Sequence, residues 1–203
     1  MKREEKSQQM RRRIMDSAIA EFSMHGYGGS STNNICAGQD FSKGIVYHYF
    51  ETKDALYLAC VQECFKRLTE YIQGNIKKEQ CGIEEQLENY FTVRMSFFRA
   101  YPVYQRIFCE ALIAPPAHLS AEIRKCRRDF DEFNIKTLER LLTPLHLRPS
   151  ISKADVIDTF RLFQDFINVR YQAAAANGKS FEAHEEECRK ALNILLYGII
   201  ERK

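Results

Sequence analysis

The stretch Ser30–Lys53, SSTNNICAGQDFSKGIVYHYFETK, constrains this chain more than any other, because its small polar residues, turn formers and aromatic cluster permit few folds. Ser31 or Thr32 starts a short helix, since a hydroxyl there accepts a backbone N–H that a helix start leaves unpaired. Ile35 and Ala37 are its apolar contribution. Gly38, Gln39 and Asp40 interrupt it, and Asp is one of the few non-glycine residues that tolerates a left-handed turn. Ser42 caps a second helix over Lys43–Phe50. Val46 and Phe50, four apart, share its inner face. Lys43, Gly44, Ile45, Tyr47 and His48 are left on or near the outer arc.

That arc is poorly suited to plain solvation and well suited to a nucleic acid. Lysine and the tyrosine hydroxyl reach phosphates, glycine lets the backbone approach closely, and an apolar tip such as Ile45 touches a thymine methyl. The segment therefore predicts a helix-turn-helix facing double-stranded DNA. On this segment alone, a short amphipathic helix with two stacked aromatics is the alternative.

The run Ser42-Lys43-Gly44-Ile45-Val46-Tyr47-His48-Tyr49-Phe50-Glu51-Thr52-Lys53, continued by Asp54-Ala55-Leu56, resembles the signature of the tetracycline-repressor (TetR) family of bacterial regulators. That signature is close to S-K-G-x-L-Y-x-Y-F-x-x-K-x-x-L. Upstream, Ala20-Glu21-Phe22 and His25-Gly26-Tyr27 are similar to the family's lead-in. The resemblance covers about the first sixty residues, and beyond Leu58 it is architectural only. It implies a ligand-responsive dimeric transcriptional regulator, most simply a repressor, on palindromic operator DNA. The DNA contacts it suggests are Arg11, Thr32, Ser42, Lys43, Gly44, Ile45, Tyr47, His48, Tyr49 and Lys53. Two departures stand out. Gln39-Asp40-Phe41 replaces the usual Ala-Gly-Val, putting a carboxylate near where phosphates run, and Ile45 occupies a position that often reads bases with a polar group.

Charge alone does not suggest a DNA binder. The net charge is +3, and residues 1–53 hold eight Lys or Arg against six Asp or Glu. Placement matters more: Arg11-Arg12-Arg13 cluster on the first helix, while Lys43 and Lys53 flank the reading helix. A few focused phosphate contacts are enough for binding.

Around this head the whole chain reads as helix. Ile14, Ala18 and Phe22, widened by Met15 and Ile19, give a first helix over about Gln8–His25, stopped by Gly26. A fourth helix starts after Thr52 and runs through Leu56, Leu58, Val61, Phe65 and Leu68 to about Gln73, with a break bracketed by Gly74 and Cys81-Gly82. Further helices cover Ile83–Ala100, the segment from Pro102 to Pro115-Pro116, and a long stretch capped by Ser120 and ended by Pro144. Ser152 with Asp155 resembles a capping box opening a helix to about Ala176. Asn177-Gly178-Lys179 is a turn, and a last helix spans about Ser180–Glu201. The fold class is all-α: a three-helix N-terminal helix-turn-helix domain over residues 1–53 and a six-helix regulatory and dimerisation domain over 54–203.

The last two helices are apolar more than halfway round. Val156, Ile157, Phe160, Leu162, Phe163, Phe166, Ile167, Val169 and Tyr171 mark one; Ala191, Leu192, Ile194, Leu195, Leu196, Tyr197, Ile199 and Ile200 mark the other. A monomer's edge helix shows one apolar stripe and one wet face. The surplus predicts a homodimer through a four-helix interface near 152–176 and 180–201; the alternative makes the first of these helices central to the body. A two-fold axis would present two reading helices to half-sites about 34–36 Å apart.

Aromatics at Phe91, Phe98, Tyr104, Phe108, Phe130, Phe133 and Phe163, with Met95, are ordinary core by default. The family resemblance implies a small-molecule effector pocket among them, with Arg94 either meeting an anionic head group or lying on its stem at the surface. Arg106 and Glu110 most simply form an i,i+4 pair.

Other classes find little support. The five histidines (25, 48, 118, 146 and 184) sit on different segments, with no H-E-x-x-H, G-x-S-x-G or phosphate-loop pattern. No catalysis, cofactor or metal is expected. The seven cysteines show no C-x-x-C; Cys60 and Cys64 are four apart without further ligands at metal spacing. Scattered thiols, the absence of an eighteen-residue apolar run and a charged N-terminus without an apolar stretch predict a cytoplasmic protein without membrane contact. A non-catalytic helical interaction protein without small-molecule response is the second class to weigh; it accounts for the bundle but not for Lys43, Gly44 and Tyr47 on one exposed arc.

Overall fold

The computed structural model describes residues 3–76, 82–175 and 180–199. Regular structure among them is helical: α1 (Arg3–Gly29), α2 (Thr32–Cys36), α3 (Lys43–Tyr49), α4 (Lys53–Asn75), α5 (Ile83–Ala100), α6 (Val103–Ile113), α7 (Ser120–Leu142), α8 (Lys153–Ala175) and α9 (Phe181–Ile199). A short 3-10 turn, Ala117–Leu119, leads into α7. The all-α class is as expected. The expected turn at Asn177-Gly178-Lys179, the helix ends at Ala176 and Glu201, Cys81, and the side chains of Tyr171, Ile199 and Ile200 lie outside the described residues.

Local chemistry sets most boundaries. Ser31, rather than Thr32, caps α2: its hydroxyl accepts from Asn34 N at 3.1 Å. Ser42 caps α3 by accepting from Ile45 N, and Thr52 accepts from Ala55 N at 3.0 Å where α4 begins. The capping box of α8 is complete, with Asp155 N bonded to Ser152 Oγ at 3.1 Å and Ser152 N to Asp155 Oδ2 at 2.8 Å. Ser120 departs from expectation, since its hydroxyl donates to Pro116 O and the 3-10 turn opens α7 instead.

Helix α1 begins earlier than its apolar period suggests. Residues 3–10 are rich in Arg, Glu, Lys and Gln, good helix formers that leave no hydrophobic stripe to read. Gly26 kinks the helix rather than ending it, with φ 68° and ψ 178°. Helix α6 fastens that kink: Glu110 accepts from Tyr27 N at 2.9 Å and Arg106 Nη1 donates to Met24 O at 2.8 Å. Arg106 and Glu110, expected to pair along their own helix, are thus both turned onto α1.

The chain forms two compact units. The first comprises Met1–Leu68 and Phe97–Arg128. Its core holds Ile14, Ala18, Phe22, Leu56, Tyr57, Phe65, Ile107 and Phe108, all essentially without exposure. Edge-on rings of Phe22 and Tyr57, 5.0 Å apart, tie α1 to α4. Glu63 joins three helices, accepting from Arg12 at 2.7 Å and Tyr104 Oη at 2.7 Å. The second unit comprises Thr69–Ser96 and Asp129–Lys203, with Leu87, Leu138, Val156, Ile167, Leu192 and Leu196 buried in it.

Helices α8 and α9 pack on each other within the second unit. Their outer sides carry Leu162 and Ile194, 72% and 73% exposed, with Phe166, Val169 and Tyr197 also exposed. The reading that makes α8 central to the body does not account for this wet apolar side.

Candidate nucleic-acid interface and effector cleft

The reading head is built from α2, the turn at residues 37–42, and α3. Gly38 supplies the left-handed residue of that turn with φ 70°, and no described non-glycine residue has positive φ. Asp40, considered for that role, takes another. Its carboxylate accepts from Arg13 Nη1 at 2.9 Å and from Nη2, and this pairing holds the Asp40 carboxyl below its ordinary range.

Two turns of helix do not hold together alone in water. Helix α3 is fixed by Val46 and Phe50, 1% and 5% exposed, each worth about 1.5–3 kcal/mol when fully buried. Their burial turns Lys43, Gly44, Tyr47 and His48 outward; Ile45 and Tyr49 are half-buried beside them. The Lys43 ammonium stands 5.8 Å from the Tyr47 ring centre, and the His48 and Tyr49 rings meet edge-on at 5.2 Å. Thr32 is buried with its hydroxyl 3.4 Å from Tyr47 Oη, a contact that positions the tyrosine. Ser42 is occupied as the cap.

The basic residues around this face are less free than the sequence suggests. Arg11 lies 4.9 Å over the Phe50 ring, Arg12 is bonded to Asp16 and Glu63, and Arg13 is held by Asp40. Lys53 donates to Ser30 O at 2.8 Å and sits 4.2 Å over the Tyr27 ring. Tyr27 in turn donates to Asp54, and burial followed by that bond pushes its phenol up to about 12. Apart from Arg12 with Asp16, these links are 23 to 51 residues apart in sequence and leave no periodic signal.

A second feature lies within the other unit. A cleft of about 620 Å³, counting the solvent it opens to, takes four residues from each of α5, α7, α8 and α9. Leu87, Phe91, Leu138, Leu141, Phe160, Phe163, Ile167, Leu192 and Leu195 make most of its wall. Of the residues proposed for a pocket, Phe91, Arg94 and Phe163 line it. Phe98, Tyr104 and Phe108 belong to the first unit, where Phe98 and Phe108 rings lie 5.0 Å apart and Tyr104 bonds Glu63. Met95 and Phe133 are half-buried in the second unit and are not among the lining residues.

Arg94 is neither a surface residue nor an open anion site. It is 5% exposed and bonded at 2.9 Å to Glu185 Oε1, itself 3% exposed. Burial lowers its guanidinium, but Glu185, Tyr90 and Cys188 together outweigh that and raise it. Tyr90 donates to Asn134 Oδ1 at 2.6 Å at the same end of the cleft. The other lining residues have no place in the expected pocket: Leu87, Leu138, Leu141, Phe160, Ile167, Ala191, Leu192 and Leu195 read only as apolar helix positions, and Tyr90, Asn134, Thr137, Gln164 and Cys188 carry no signal beyond spacing by turns on helices already assigned.

Among the described residues no group of three His, Cys, Asp or Glu is placed to hold a metal ion. Cys60 and Cys64 are buried, and burial pushes both thiols up; Cys64 Sγ donates to Tyr104 O at 3.7 Å. No helix among these residues is long and apolar enough to cross a membrane.

Comparison with known proteins agrees with this geometry. Residues 14–60, which cover α1 from Ile14 onward, α2, α3 and the start of α4, match the family described as bacterial regulatory proteins, tetR family. The biofilm operon icaADBC HTH-type negative transcriptional regulator IcaR of Staphylococcus epidermidis is 24% identical over 154 residues, covering 76% of this chain and 80% of that protein. Among solved structures, a TetR-family transcriptional regulator from Cytophaga hutchinsonii superimposes with a TM-score of 0.69 at 16% identity, over 98% of each chain. The transcriptional regulator FadR from Bacillus subtilis, solved in complex with stearoyl-CoA, gives 0.67 at 16% identity over 92% of this chain and 98% of its own. The capped helix α3 over its buried Val-Phe pair, on this all-helical frame, thus lies within the segment, residues 14–60, that is similar to the bacterial regulatory proteins of the tetR family.

Proposed function

We propose that this protein is a homodimeric, ligand-responsive repressor that holds palindromic operator DNA with two copies of α3 and releases it when an effector occupies the cleft of the second unit. The observation that carries the reading is the exposed arc of Lys43, Gly44, Tyr47 and His48, locked outward by Val46 and Phe50. Residues 1–53 are the DNA-binding part, and residues 54–203 bind ligand and dimerise. The apolar outer side of α8 and α9 is the dimer surface. The protein works in the cytoplasm, by binding and not by catalysis.

The cleft's chemistry favours an uncharged, largely apolar effector. Its wall is mostly aliphatic and aromatic, and its one lining cation is already neutralised by Glu185. A second carboxylate would share one guanidinium in a buried site, at a desolvation cost that a neutral group avoids. Helix α4 is one continuous rod whose Lys53–Leu68 part belongs to the first unit and whose remainder belongs to the second. A ligand that prefers one position of that rod changes operator affinity by its differential binding, typically 1–3 kcal/mol.

Anisotropy of a labelled duplex of about 30 base pairs, long enough for two half-sites, tests the DNA arm. The logarithm of the affinity should fall linearly with the logarithm of salt concentration. Lys43→Ala should weaken binding on every sequence and flatten that slope by about 0.9 per copy, whereas changing Ile45 should mainly alter which sequence is preferred. Affinity indifferent to salt, or both variants binding as the unaltered protein does, would overturn the reading.

A further inference from the structure

The turn that delivers α3 carries an acid where a phosphate-seeking surface would be expected to carry none. Asp40 lies two residues before the cap Ser42 and three before Lys43. It does not serve the turn by a left-handed backbone, which Gly38 supplies. Instead both of its oxygens face Arg13 in a bidentate pair, Nη1 to Oδ2 at 2.9 Å and Nη2 to Oδ1. This fork-to-carboxylate geometry is the one a guanidinium uses on a phosphate. Both side chains stand about half in solvent, 47% and 65% exposed, so the pair is open to exchange.

We infer that Asp40 is a built-in competitor for DNA phosphate, occupying the guanidinium of Arg13 and thereby limiting the sequence-independent part of DNA affinity. The inference rests on the DNA-binding reading of this head. Two states are open to Arg13 when a duplex arrives. If it stays on Asp40, the pair is neutral and contributes no counterion release. If it moves to a phosphate, an uncompensated carboxylate remains beside the DNA backbone. Either way Asp40 lowers the backbone contribution, while the outward side chains of α3 that face base edges are untouched. An exposed ion pair of this kind is weak, so the exchange is poised rather than locked. The consequence is a regulator that leaves non-operator DNA readily and lets a modest effector preference suffice for release.

The experiment measures affinity of the full chain and its variants for a labelled random-sequence duplex across a salt series. Asp40→Asn keeps the side-chain shape and its capacity for turn hydrogen bonds but frees Arg13. It should bind about tenfold more tightly at low salt, with a slope steeper by about 1.8, or 0.9 for each Arg13 of a dimer. Arg13→Ala alone should bind more weakly than the unaltered protein, because it leaves the Asp40 carboxylate uncompensated beside the DNA backbone. Arg13→Ala combined with Asp40→Asn should lose the gain and its extra slope. Glu132→Gln, which removes an equal charge from an exposed site in the second unit, should not reproduce the effect. Asp40→Asn binding no more tightly, or a gain that persists without Arg13, would overturn the inference and leave the DNA reading intact. Failure of the unaltered protein to bind any duplex at low salt would overturn both.

Discussion

Among the described glycines, Gly26 has the least freedom to change. Its φ of 68° with ψ of 178° is a conformation that residues with a Cβ avoid. A Cβ there would also stand 3.1 Å from Glu110 Oε1 and 3.2 Å from Arg106 Nη2, the two groups that fasten the kink. Gly26→Ala should therefore cost about 1–3 kcal/mol, read as a lowered urea midpoint with unchanged slope; an unchanged midpoint would contradict it. Glu63 makes a pH-dependent contribution. Burial alone would raise its carboxyl, but hydrogen bonds from Arg12 and Tyr104 hold it below the ordinary value of 4.5. A group depressed in the folded state stabilises above its unfolded value, and that contribution is lost as pH falls through the folded value. The unaltered protein should thus lose more stability than Glu63→Gln on acidification from about pH 5 downward. Parallel curves for the two would reject this role for Glu63.

At the scale of elements, much was legible because it is local. The caps at Ser31, Ser42 and Thr52, the capping box of Ser152 and Asp155, and the inward pair of Val46 and Phe50 all follow from spacings of three or four residues. The pairings that finish the site are not local. Arg13 meets Asp40 across 27 residues, and Arg94 meets Glu185 across 91. Period alone also cannot tell which face of α5 meets which neighbour. Phe91 and Phe98 share a stripe, yet Phe91 lines the cleft and Phe98 packs in the first unit. Arg94 and Glu185 carry a further prediction. Arg94→Ala strands a buried carboxylate and should cost about 3–5 kcal/mol, while replacing both partners with apolar residues of similar volume should cost much less. Equal losses by calorimetry would show that the pair's own attraction, rather than the stranded charge, dominates.

At the scale of the whole molecule, the proposed function depends on two reading helices acting together. Leu162, Phe166, Val169, Ile194 and Tyr197 are exposed large apolar side chains on two helices that pack on each other, the kind of surface that marks an interface. Ile194→Glu should convert the dimer to monomers by sedimentation with helicity retained, and should weaken DNA binding by removing one of two heads. A dimer that survives the change places the interface elsewhere. The most direct measurement is selection of bound duplexes from a random library by the full chain, with Lys43→Ala selected in parallel. The predicted result is an inverted repeat whose half-site centres lie about 10 base pairs, or a multiple, apart, enriched by the unaltered protein and weakened for the variant. Enrichment of a single unrepeated site, or equal enrichment by both proteins, would contradict it.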